Sequence, residues 1–402
     1  MAFDRIVVAF SGGLDTSYLV AWLKETQQAE VITVTVDTGG FSDEELRAIQ
    51  ARSSEVGAND HVTVDGKQET FDRVIKYLIQ GNVLRGNAYP LCVSAERVAQ
   101  AEILVREALR CGAKAVAHGS TGAGNDQIRF DVAIRTLAPD LAIIAPIREH
   151  ALSRDQETAW LRERRIPVQD KTNRYSINAG MWGVTIGGGE THDAWRSVPS
   201  DAYPTVVDAD KAPAEGVEVI IGFEKGVPVS VDGRKMTGPA LVQDLNQLGA
   251  AHGVGRGIHL GDTILGIKGR IAFEAPAAMI LLGAHRELEK LVQSKWQQFW
   301  KDKVADCYGA VLHEAEFYDP VGRDIEAMIA SSQSRVKGEV RISLRRGVFK
   351  VEGIRSPYSM MDAKKATYGE TQSLWNGRDA EGFAKIYGLQ GRLAAMAGTG
   401  EK

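Results

Sequence analysis

The sequence predicts an α/β protein: a doubly wound parallel sheet that forms a nucleotide-binding domain, then an α+β second domain and a C-terminal helix. Three observations carry the prediction. Apolar, β-branched runs alternate with segments of helical spacing from Arg5 to Ile166. The first such run ends in a glycine pair that opens a helix. Near Ile166-Pro167-Val168 the alternation stops and the composition shifts to Gly-, Pro- and Asp-bearing stretches, which puts a domain boundary around residue 170. The expected division is 1–170, 171–365 and a helical tail 366–402.

The first strand is Arg5-Ile6-Val7-Val8-Ala9, and Tyr18 to Lys24 has helical spacing, so Phe10-Ser11-Gly12-Gly13-Leu14-Asp15-Thr16-Ser17 is a strand–turn–helix junction. Such a turn suits an anion. Paired glycines let the backbone approach a ligand, and the first amides of the helix point unpaired N–H groups and the positive end of the dipole at it. Neither the Lys of a G-x-x-x-x-G-K-[ST] loop nor a G-x-G-x-x-G pattern is present, so the turn is a different kind of phosphate cradle.

Glu30 to Asp37 reads as a second strand buried on both faces. Ser42 and Glu45 form a capping box for a helix running to Val56. His61 to Val64 is a short strand, Glu69 to Ile79 and Ser94 to Leu109 are helical, and Ala113 to Ala117 and Leu141 to Ala145 are strands. In an open sheet of this kind ligands sit at the carboxyl ends of the strands, where the strand order reverses. Three polar turns arise there: Ser11-Gly12-Gly13, Asp37-Thr38-Gly39, and the long loop from His118 to Arg129. In the second domain, Val217 to Phe223 and Val227 to Val231 form a hairpin with Asp232-Gly233 as the next turn, and Thr237 to Leu248 is a helix. One long helix is expected to carry Leu281, Leu282, His285, Leu288, Val292, Trp296 and Phe299 as a core or interface stripe. His252, His285 and His313 read as packed histidines. Lys337 to Gly353 is a hairpin, and a single helix near Ala380 to Met396 closes the chain.

Net charge of −4 and a pI near 6.1 give no field for nucleic acid or an anionic membrane, and Arg162, Arg164 and Arg165 read as a solvated helix face. The longest apolar run, Ala275 to Ala284, contains Pro276 and Gly283 and is too short to span a bilayer. No secretory pattern precedes the first strand, so a cytoplasmic protein is expected. Cys92, Cys111 and Cys307 lack CxxC spacing, which indicates neither a disulfide framework nor a zinc site and leaves packed thiols. No metal-ligand set is assigned to the chain.

Ser-Gly-Gly-x-Asp-[Ser/Thr] after the first strand resembles the pyrophosphate loop of the ATP pyrophosphatases, which split ATP into AMP and pyrophosphate. Ala117-His118-Gly119-Ser120-Thr121-Gly122-Ala123-Gly124-Asn125-Asp126-Gln127-Ile128-Arg129-Phe130 narrows the resemblance to the argininosuccinate synthase family within that superfamily. Tyr89-Pro90-Leu91, Ala145 to Glu149, Tyr175 to Asn178, Gly253 to Gly257 and Gly266 to Arg270 follow in the family's order, so the likeness covers nearly the whole chain.

The resemblance implies a cytoplasmic homotetramer that uses ATP, bound with Mg2+, to join citrulline to aspartate in arginine biosynthesis through a citrullyl-AMP intermediate. It implies that Ala9, Phe10, Ser11, Gly12, Gly13, Leu14, Asp15, Thr16, Ser17, Val36 and Gly119 hold ATP. Thr121, Asn125 and Asp126 are implied to hold aspartate, and Asp15 and Asp126 to serve as catalytic residues. For citrulline the implied set is Tyr89, Ser94, Asn125, Arg129, Ser176, Thr185, Asp262 and Phe273, with Arg129 on its carboxylate. Asp126 and Arg129 also stand at the i, i+3 spacing of an ordinary helix pair. The chain departs from the commonest family pattern in three places, marking a divergent branch: Cys92-Val93 stands for Gly-Thr, Gly261 for a Glu beside Asp262, and Phe273 for a Tyr. Another ligase of the superfamily, adenylating a different urea or amide oxygen, is the alternative. A tRNA thiolase would show a cysteine pair and a basic face, and an ATP sensor would not need the amino-acid residues.

Overall fold

The computed structural model describes residues 3–168, 174–361 and 374–397. The first half runs β1 (Arg5–Ala9), α1 (Leu14–Thr26), β2 (Glu30–Asp37), α2 (Asp43–Glu55), β3 (Asp60–Asp65), α3 (Lys67–Thr70), a π-helical turn (Phe71–Ile75), α4 (Lys76–Gly81), α5 (Arg97–Arg110), β4 (Ala115–Ala117), α6 (Asn125–Leu137), β5 (Ala142–Ile144), α7 (Pro146–Glu149) and α8 (Arg154–Glu163). Its five strands pair in parallel in the order β3-β2-β1-β4-β5. Successive residues of β1 face opposite layers, as the pleat requires. Val7 joins Ile32, Val34 and Val116 under α5 and α6, whereas Ile6 and Val8 pack with Leu19, Val20 and Leu23 of α1 and Ile49 of α2. The sheet is therefore doubly wound, and its order reverses between β1 and β4. Ser42 caps α2, its side chain accepting from the Glu45 amide in the expected capping box.

The second half contributes β6 (Tyr175–Gly180), β7 (Gly183–Gly188), β8 (Val217–Glu224), β9 (Val227–Val231), β10 (Arg234–Lys235), α9 (Gly238–Ala251), β11 (Arg256–Asp262), β12 (Lys268–Glu274), α10 (Pro276–Val292), α11 (Lys295–His313), α12 (Pro320–Ser332), β13 (Gly338–Arg345) and β14 (Val348–Arg355). These strands form two antiparallel sheets, β11-β12-β7-β6 and β10-β9-β8-β13-β14. The largest core lies here, and Val74, Ile75, Leu78 and Ile79 from the first half belong to it. The chain forms two compact units, Met1–Ser356 and Pro357–Lys402, the second holding α13 (Gly377–Tyr387) and α14 (Leu389–Ala397). The boundary expected near residue 170, and the one between 365 and 366, lie outside the described residues.

Five local expectations are corrected. The stripe from Leu281 to Phe299 is not one helix: α10 stops at Val292, and Ser294 caps α11 through a second capping box with Gln297. Trp296 and Phe299 consequently sit on the first turns of α11 and are exposed, while Leu281, Leu282, His285, Leu288 and Val292 are buried. The terminal helix is two, separated at Gly388. α5 begins at Arg97 rather than Ser94, because Leu91 and Val93 take positive φ angles of 62° and 60° that no helix accommodates. Cys307 is exposed rather than packed, and Arg164 is not merely solvated: it pairs with Glu25 at 2.5 Å and lies 3.7 Å from the Trp160 ring centroid.

Candidate active site

The carboxyl ends of β1, β2 and β4 open into a cavity of about 870 Å³. Gly12 turns the chain out of β1 with φ of 74°, and Gly13 precedes α1 in an extended conformation without a side-chain cap. Gly124 precedes α6 in the same way. Two helix N-termini with uncapped amides therefore meet at one place. Gly119 lets the β4 loop lie against the first: a Cβ there would stand 3.2 Å from Asp15 Cβ and 3.3 Å from Thr16 Cγ2.

Ala9, Phe10, Ser11, Gly13, Leu14, Asp15, Thr16, Val36 and Gly119 line this cavity together with Thr121, Asn125, Asp126 and Arg129. Tyr89, Ser94, Ser176, Thr185 and Asp262 line it too, the last three brought in by strands of the β11-β12-β7-β6 sheet. Three residues of the expected set are not in the lining. Ser17 is fully buried and its hydroxyl accepts from Arg52 Nε of α2 at 3.0 Å, because it stands on the side of α1 that faces α2. Gly12 turns toward Ile49. Phe273 lies across Gly257 and packs behind Tyr89, ring centroids 5.3 Å apart.

Several of these side chains already hold one another. Asp126 accepts from Arg97 Nε at 2.9 Å and from Arg129 Nη1 at 3.0 Å. Burial works to raise its pKa, but the two guanidiniums outweigh burial and keep the Asp126 carboxyl below its ordinary value. Arg129 also donates from Nη2 to the His313 carbonyl at 3.1 Å, and its buried Nε–H has no partner. Asn125 uses its side-chain oxygen to accept from the Ile264 amide at 3.0 Å, which fixes the turn after Asp262. Tyr89 donates to the Cys92 carbonyl at 2.6 Å, and Ser94 to the Leu91 carbonyl at 3.1 Å.

At the β1–α1 end, burial and then the facing Asp15 push Glu157 up to about 8. Glu157 is 1% exposed and its Oε2 has no hydrogen-bond partner. Across the cavity, Glu96 accepts from the Trp182 amide at 2.8 Å and the Thr38 hydroxyl at 2.7 Å, tying the end of β2 to the β6–β7 turn; burial raises it to about 7. Among the described residues no group of three or more His, Cys, Asp or Glu side chains is placed to hold a metal ion, and no helix is long and apolar enough to cross a membrane.

Two family profiles match the chain, the arginosuccinate synthase N-terminal HUP domain over residues 5–167 and the arginosuccinate synthase C-terminal domain over 175–394. An argininosuccinate synthase of Xanthomonas campestris pv. campestris is 41% identical over 400 residues, covering 98% of this chain and 99% of the relative. The chain belongs to the argininosuccinate synthase family. Argininosuccinate synthases of Pyrococcus furiosus, 40% identical over 97% of this chain and 94% of the relative, and of Dictyoglomus turgidum, 37% identical over 99% of both, agree.

The family signature brackets side chains that sequence reasoning did not assign. His118, inside it, lines the cavity; its Nε2 meets Asp131 at 2.9 Å and its Nδ1 accepts from the Ser120 amide at 3.4 Å, so it shapes the loop that carries Thr121. Arg97, Glu157, His259 and His313 also line the cavity. Arg97 stands one turn after Ser94, a weak spacing signal; the others reach the site only through tertiary packing. His313 is packed as expected, yet it is packed against Arg129: burial and then the charges of Arg129 and Arg85 lower it to about 4.

Proposed function

We propose that this member of the argininosuccinate synthase family joins citrulline to aspartate at the expense of ATP, releasing AMP and pyrophosphate. The observation that carries the reading is the single cavity shared by two uncapped helix N-termini, an anion site, and by the Asp126–Arg129 pair with its polar surround, an amino-acid site. A urea is a poor electrophile. Attack of the citrulline ureido oxygen on the α-phosphorus forms a C–O–P link and expels pyrophosphate. The aspartate amine then forms the C–N bond to the ureido carbon, the C–O bond to AMP breaks, and the amine loses its proton. No covalent enzyme intermediate is needed, so catalysis rests on positioning and charge stabilisation.

In this reading the β1–α1 loop takes the phosphates, Val36 and Gly119 border the adenosine, Thr121, Asn125 and Asp126 receive aspartate, and Arg129 receives the citrulline carboxylate through its free Nε–H. Asp15 and Glu157 are suited to hold Mg2+, since a buried carboxylate oxygen lacking a partner faces a second carboxylate beside the phosphate loop. When bound, Mg2+ neutralises charge on the departing pyrophosphate. The division at about residue 170 belongs to the same reading, with a phosphate-binding half and a half that closes over it, acting in the cytoplasm. AMP release is expected to require citrulline, and argininosuccinate to appear only when aspartate is added as well. Citrulline-independent ATP cleavage as the sole activity would sink the proposal.

The proposed assembly is a homotetramer that uses α13 and α14. Phe383, Ile386, Tyr387, Leu389, Leu393 and Met396 are all exposed on these helices. Six large apolar side chains on a short two-helix unit call for a covering surface, and a second subunit supplies one. Light scattering on a chain ending at Trp375 is expected to show a smaller particle. An unchanged tetramer would remove both helices from the interface.

A further inference from the structure

His259 stands on β11 two residues before Gly261, so both face the cavity, as their shared place in its lining requires. The register opposite them is Ile271 and Gly269 of β12. The imidazole lies flat on the Tyr89 ring, centroids 5.2 Å apart and planes 18° apart. It fills the space that two glycines leave: a Cβ on Gly86 would meet its Cε1 at 3.2 Å, and a Cβ on Gly261 would meet its Nε2 at 2.6 Å. Any side chain at 261 would displace the imidazole. A side chain at 261 and the histidine ring are therefore alternatives for one volume.

An α-amino acid bound here needs donors for its carboxylate and an acceptor for its ammonium. The carboxylates nearby are committed. Asp126 is shared by Arg97 and Arg129, Asp262 is paired with Lys268 at 2.6 Å, and Glu314 is paired with Arg85 at 3.4 Å. The Ser94 and Tyr89 hydroxyl protons point at backbone carbonyls. The His259 ring has no hydrogen-bond partner among the described residues, and burial, then the charge of Arg85, favours the neutral ring, which can accept.

We infer that His259 is the specificity-determining residue of the citrulline site in this branch of the family, its free imidazole nitrogen accepting a hydrogen bond from the substrate's α-ammonium while the ring stays stacked on Tyr89. This rests on the proposed function. The ring's position sorts ligands by whether they carry an α-amino group, and leaves ATP and aspartate to other walls.

The experiment compares citrulline with 5-ureidopentanoate, which lacks the α-amino group, in AMP release at saturating ATP and aspartate. His259→Phe keeps an aromatic ring on Tyr89 and removes the acceptor; His259→Gln keeps an acceptor. His259→Phe is expected to raise KM for citrulline about tenfold to a hundredfold with kcat little changed, the range for a hydrogen bond to a charged group. The preference for citrulline over 5-ureidopentanoate should shrink by the same factor, and His259→Gln should keep most of it. If His259→Phe retains the full preference, or handles both compounds equally worse, the ring is only packing and the inference falls while the proposed function stands. If the unaltered protein releases no AMP in response to citrulline, the proposed function falls and takes the inference with it.

Discussion

Asp126→Asn is expected to cut turnover at limiting aspartate by roughly a hundredfold to a thousandfold, more than a lost substrate contact alone would. Each oxygen of Asp126 meets a different arginine, Arg97 at 2.9 Å and Arg129 at 3.0 Å. An asparagine offers one acceptor and turns its NH2 donors toward a guanidinium that can only donate. Losing one charge-assisted bond costs about 1.5–3 kcal/mol, a factor of about ten to a hundred, and misplacing Arg129 adds to it. The two halves of the reaction should suffer unequally. Positional isotope exchange in labelled ATP, with citrulline and without aspartate, reads adenylation alone, and is expected to fall about tenfold through Arg129. Exchange lost as severely as turnover would move Asp126 to the ATP or citrulline half. Exchange untouched would mean that Arg129 is held without it, by the His313 carbonyl.

Gly180→Ala is expected to destabilise the fold by about 2–6 kcal/mol. Gly180 ends β6, and a Cβ built on it falls on the Glu96 carboxylate. Glu96 cannot swing aside without cost, because it is 1% exposed and both its oxygens are engaged, by the Trp182 amide and the Thr38 hydroxyl. The substitution therefore adds overpacking, about 1–3 kcal/mol, to the desolvation of donors left unpaired, about 1–3 kcal/mol. Urea unfolding reads it as a fall in the midpoint. Gly187→Ala is the control: nothing lies within 4 Å of a Cβ there, and its midpoint should stay close to that of the unaltered protein. Equal shifts in the two variants would show that the clash at Glu96 is not what matters.

The parallel sheet and its glycine-pair loop were legible in the sequence because they are written in local patterns. β-branched runs such as Val31 to Val36 leave a strand few alternatives, and a Gly-Gly turn between strand and helix exposes amides whatever surrounds it. The hairpins of the second half were legible for the same reason. The break after Val292 was less so, since hydrophobic spacing continues past it and only the Ser294 cap interrupts it.

The sequence by itself determined the fold class, the family and the loops that border the cavity. Tertiary structure alone decided how their side chains are spent. Arg97 on α5 reaches Asp126 on α6, Glu157 on α8 faces Asp15, and His259 on β11 stacks on Tyr89, pairs separated by 29 to well over a hundred residues in the chain. Spacing rules extend over a few turns or one strand pair and say nothing about such encounters. They form where the two halves of the chain close on one cavity, and burial there gives each charge its partner or leaves a donor, like the Arg129 Nε–H, without one.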